Sequence, residues 1–95
     1  MPVHEPQREP LLRGLKVVEM ATWLFGPMSA CVLGELGADV IKIEPHEGDP
    51  MRGLIPRVQG DVDWIWELAN RNKRSVALDL RSRGGGDVFR RLLQD

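Results

Sequence analysis

The segment from Leu15 to Glu44 constrains the fold most. The β-branched apolar run "LKVVEM" leads through "ATWLFGP" into a helical pattern, and a second such run, "ADVIKI", follows. Two short apolar runs separated by one helix-length segment predict parallel neighbouring strands joined by a crossover helix. Pro27 stands where a helix tolerates its first residue, because the N–H that proline lacks would be unpaired there. Met28, Cys31, Val32 and Leu36 then recur at helical spacing, and Gly37 predicts a left-handed cap.

The pattern continues beyond residue 44. "KIEPHEGDPMR" and "GLIPRVQG" read as a loop. "DVDWIWELAN" predicts a short helix on Val62, Ile65, Trp66 and Ala69, with Asp61 as its cap. "RSVALDL" predicts a third strand. A last helix opens at Ser82 or a nearby glycine and carries Val88, Phe89, Leu92 and Leu93 on one face. Strand and helix alternating three times predict an α/β fold, a parallel βαβαβ sheet covered by helices. Three parallel strands make a small sheet for a class normally buried on both faces, and "RRLLQD" carries no helix stop signal. The expectation is the truncated N-terminal part of a larger sheet. Residues 1–12, with prolines at 2, 6 and 10 among charges, read as a flexible arm that includes His4.

Thirteen basic residues against fourteen acidic ones leave a net charge of -1, which excludes a general field for nucleic acid or anionic membrane. No apolar run approaches the about 20 residues of a membrane span, and the first ten residues lack the apolar centre of a signal peptide. The cytoplasm is therefore the expected compartment. Cys31, the single cysteine, excludes an internal disulfide and reads as buried packing.

Several chemistries can be weighed on residue pattern. A dinucleotide site would need glycines in the turn after strand one, where Trp23, Leu24 and Phe25 stand instead. That turn offers aromatic surface at the carboxyl end of a strand, either as ligand wall or as core. The Gly84, Gly85, Gly86 triplet lacks the lysine and hydroxyl of a phosphate loop and reads as a weak helix start. Glu44, His46, Glu47 and Asp49 carry metal-ligating atoms, but their spacing matches no metal loop, and no metal is expected. Acid or base work by a pair of them stays open, although nothing adjacent in sequence would desolvate them. "NRNKR", residues 70–74, could bind a phosphate-bearing ligand or cover a sheet edge.

The combined motifs resemble the family III CoA-transferases, the group that includes formyl-CoA transferase, carnitine-pathway CoA-transferases and α-methylacyl-CoA racemase. They are Leu12, Gly14 and Leu15 before "VVE", Gly26 and Pro27, "LGADVIKIE", "GDPMR" and "NRNKRSVALDLRS", which together cover nearly all of residues 12–94. The resemblance implies a Rossmann-like large domain, begun by residues 13–95, in an interlocked homodimer several hundred residues long. It implies CoA and acyl-CoA as substrates with a carboxylate acceptor, and an aspartate nucleophile that forms a mixed anhydride and then an enzyme thioester. That aspartate would lie beyond residue 95, as would the proton-transferring pair of the racemase branch, so this chain would be inactive alone. A non-catalytic CoA-binding fragment is the remaining alternative. CoA contacts are implied at Leu24 and Phe25 and at Leu78, Asp79, Leu80 and Arg81. Where many members place a basic residue after the glutamate this chain has Pro45, so His46, Arg52 and Arg81 become the candidates for phosphate.

Overall fold

The computed structural model describes residues 8–54 and 62–94. The elements run β1 (Lys16–Glu19), α1 (Phe25–Glu35), β2 (Asp39–Glu44), α2 (Trp64–Asn70), β3 (Lys73–Ala77) and α3 (Arg83–Gln94). The strands form one sheet in the order β1-β2-β3. Both pairings are parallel, with Lys16 opposite Asp39 and Glu19 opposite Lys42 in the first, and Val40 opposite Lys73 and Glu44 opposite Ala77 in the second. The α/β alternation expected from sequence is the one observed.

Residues on a strand alternate between faces, so Val40, Lys42 and Glu44 share one face while Ile41 and Ile43 share the other. The first face meets α1. Ala30, Ala38 and Val40 form its buried centre, with Leu12, Val17 and Leu33 packed around them. α2 lies against α1, and Cys31, 3% exposed, turns its thiol toward the Leu68 and Arg71 carbonyls at the end of α2. The N–H of Leu12 donates to the Leu36 carbonyl at 2.9 Å, which ties the start of the described chain to the end of α1. α3 makes at most slight contact with the sheet, and Val88 and Leu93 of its apolar face are exposed. Among the described residues no helix is long and apolar enough to cross a membrane.

Helix ends depart from expectation in two places. α1 begins at Phe25, and Pro27 is its third residue, still within the first turn, where N–H groups have no intrahelical acceptor. α2 is capped by Asp63, whose side chain accepts from the Trp66 N–H at 3.2 Å. The cap expected at Asp61, like the "GLIPRVQG" loop after Gly53 and Leu54, lies outside the described residues. β3 ends at Ala77, so residues 78–80 form a loop instead of a continued strand. Gly37 has φ +108 and closes α1 as expected. α3 is opened by Ser82, whose hydroxyl accepts from the Gly85 N–H at 3.0 Å.

Candidate functional site

Beyond the carboxyl ends of the strands lies an open groove of about 350 Å³. Ligands of open parallel sheets bind at this end because the strands and helices leave a crevice there. Met20 and Thr22 from the turn after β1 form one wall, residues 43–47 a second, and residues 78–81 a third. Met20, Ile43, Leu78 and Leu80 give it an apolar floor, and His46 and Arg81 bring basic groups to its rim.

The structure therefore gathers His46, Leu78, Asp79, Leu80 and Arg81 around one cavity. Leu24 and Phe25 stand apart from its lining, at the start of α1, where Phe25 is 85% exposed. Their turn contributes Met20 and Thr22 instead. Arg52 is also outside the lining. Its guanidinium forms a two-pronged pair with Glu44, at 2.7 and 2.8 Å, and stacks over the Trp66 ring at 3.7 Å.

Beneath the groove runs a network of buried charge. Lys42, 1% exposed, donates to both Glu19 carboxylate oxygens at 3.1 and 3.3 Å and to the Ala21 carbonyl at 3.1 Å, and lies 2.9 Å from Asp49 Oδ2. Lys73 shares Glu19 Oε2 with Lys42, at 3.4 Å, and donates to the Pro27 carbonyl and to Asn70 Oδ1, each at 2.8 Å. Asp49 accepts from the Met51 N–H at 2.9 Å and, over a longer 3.4 Å, from that of Trp23. Glu44 accepts from the Asp49 N–H at 2.9 Å and from the Ser75 hydroxyl as well as from Arg52. Glu19, Glu44 and Asp49 are thereby matched by Lys42, Lys73 and Arg52, as burial of charge requires.

These contacts shift several acids and bases. The Arg52 hydrogen bonds hold the Glu44 carboxyl down to about 2, against the opposing effect of burial. Glu44 in turn raises Arg52. Burial is the main cause that lowers Lys73, with Glu19 acting against it. Asp79 is lowered, chiefly because its carboxylate accepts the Arg81 N–H at 3.0 Å. Among the described residues no group of three or more His, Cys, Asp or Glu is placed to hold a metal.

Glu44 and Asp49 are buried, at 4% and 2% exposure, while His46 and Glu47 of the same stretch are exposed. The groups that meet them come from other elements: the Ser75 hydroxyl of β3 donates to Glu44, and the Trp23 N–H and the Lys42 ammonium reach Asp49. Glu19 and Lys42 were not among the expected site residues. What points to them is the register, since parallel pairing of the two runs sets Glu19 opposite Lys42.

Comparison with known proteins agrees with this architecture. Residues 12–95 match the CoA-transferase family III. The chain is 38% identical over 89 residues to (R)-2-hydroxy-4-methylpentanoate CoA-transferase of Clostridioides difficile, covering 90% of this chain and 22% of that protein. It is 44% identical over 84 residues to the succinyl-CoA–L-malate CoA-transferase beta subunit of Chloroflexus aurantiacus, covering 86% of this chain and 20% of that one. A CAIB/BAIF family protein from Brucella suis superposes with a TM-score of 0.81 at 42% identity, over 90% of this chain and 24% of that structure. The chain thus spans about a fifth to a quarter of the length of these relatives. On the match over residues 12–95, the chain belongs to the CoA-transferase family III.

Proposed function

We propose that this chain supplies part of the CoA-binding wall of an acyl-CoA:carboxylate CoA-transferase, with the nucleophilic aspartate contributed by sequence beyond residue 95. The observation that carries the reading is the groove at the carboxyl edge, in which an apolar floor of Met20, Ile43, Leu78 and Leu80 is rimmed by His46 and Arg81. An adenosine moiety needs apolar surface to stack on, and its attached phosphates need basic partners. Arg81, 94% exposed at its side chain, is held only by a long 3.4 Å pair with Asp79 that a phosphate can replace, while Arg52 is held by Glu44 and Trp66. Arg81 and His46 are therefore assigned the phosphate contacts, with Leu78, Asp79 and Leu80 beside the adenosine and Leu24 and Phe25 at the far end of the same edge. In the longer protein the acceptor is a carboxylate and the assembly a homodimer, as the family resemblance implies.

Chemical-shift mapping with CoA tests the reading. Shifts concentrated at residues 20–22, 43–47 and 78–81 are the expected result, with dephospho-CoA giving weaker saturation. Shifts elsewhere, or none, would contradict it. In the longer protein, α-proton exchange into solvent deuterium without CoA transfer would instead identify a racemase.

A further inference from the structure

The geometry points to the buried Lys42–Asp49 ion pair as a positioning device that clamps two walls of the groove together. This inference rests on the reading of that groove as a CoA site. The two members of the pair, 2.9 Å apart, hold opposite sides of the turn between β1 and α1. Lys42 donates to the Ala21 carbonyl at 3.1 Å, Asp49 accepts from the Trp23 N–H at 3.4 Å, and Thr22 between them lines the groove.

Two further observations give the pair this role. Trp23 has φ +68, a left-handed conformation that is costly for a bulky residue and persists only where its surroundings impose it. Asp49 also sits in the loop that follows β2, and its neighbours His46 and Glu47 form the second wall. Charge balance accounts for the presence of Asp49, since Glu19 alone faces both Lys42 and Lys73, but it does not account for the contacts that both members of the pair make with the turn. Among the described residues no hydrogen bond or ion pair joins the third wall, residues 78–81, to Lys42 or Asp49.

The double variant Lys42→Met with Asp49→Leu removes the pair without leaving a lone charge, since Glu19 keeps Lys73. NMR amide exchange and CoA titration are then read on the full 95-residue chain. Exchange at the Trp23 N–H should become at least about tenfold faster, with residues 79–82 unchanged, and CoA affinity should fall about tenfold. Arg74→Ala, which breaks only the exposed pair with Asp39, should alter neither. Unchanged exchange at Trp23, or faster exchange with unaltered CoA affinity, overturns the clamp. Should the double variant not fold, Asp49→Asn decides: faster Trp23 exchange than the parent supports the clamp, and equal exchange overturns it. If the parent chain binds no CoA, the groove reading fails, and the clamp as a device for CoA fails with it, while exchange still reports whether the pair holds the turn.

Discussion

At the scale of single residues, Glu44 ties a strand, its neighbour and a loop together. Its two oxygens take Arg52, Ser75 and the Asp49 backbone, and so bind β2 to β3 and to its own following loop. A carboxyl held at about 2 in the fold and near 4.5 when unfolded stabilises the fold fully above about pH 4.5. That stabilisation, at most about 3 kcal/mol, is lost as the pH falls from 4.5 toward 2. Urea midpoints measured across this range should drop accordingly, and Glu44→Gln should flatten the dependence. Arg52→Lys keeps the charge but loses the fork and the stack on Trp66, so it should destabilise by about 1 to 3 kcal/mol, measured by the same denaturation. A change below about 0.5 kcal/mol would show the pair to be an ordinary surface bridge.

At the scale of elements, local sequence determined most of what formed. β-branched runs made the strands, Gly37 closed α1, and Ser82 opened α3. The glycine triplet does more than permit a helix start: a Cβ on Gly85 would overlap the Asp79 carbonyl, in the loop that forms the third wall. Gly85→Ala should therefore cost about 1 to 3 kcal/mol and displace that loop, whereas Gly84→Ala, with open space at its Cβ, should be neutral or stabilising. Thermal melts of the two variants give the comparison. The fold was legible because periodicity is local. The charge network was not, because Glu19, Lys42, Asp49 and Lys73 meet only after β1, β2 and β3 pair, and a lone lysine in "ADVIKI" looks like a solvated edge until Glu19 is set beside it. Strand three was read too long for a similar reason: Leu78 and Leu80 are apolar, yet they serve the groove and not the sheet.

At the scale of the whole molecule, the described sheet has β1 and β3 as edges, each paired on one side only. Parallel strands gain stability from cover on both faces and both edges, and here α3 makes at most slight contact with the sheet while Leu15, Met20, Trp23 and Trp64 are exposed. The isolated chain should therefore melt below about 45 °C and sediment with a concentration-dependent mass; a sharp monomeric transition above about 65 °C would contradict this. Relatives four to five times as long have sequence enough to cover such surfaces. The most direct test of the central claim is a calorimetric titration of the 95-residue chain with CoA, set against the same titration of a variant carrying His46→Ala and Arg81→Ala. The account predicts saturable binding that weakens at least about tenfold in the variant; absent binding, or equal affinity in the two proteins, would contradict it.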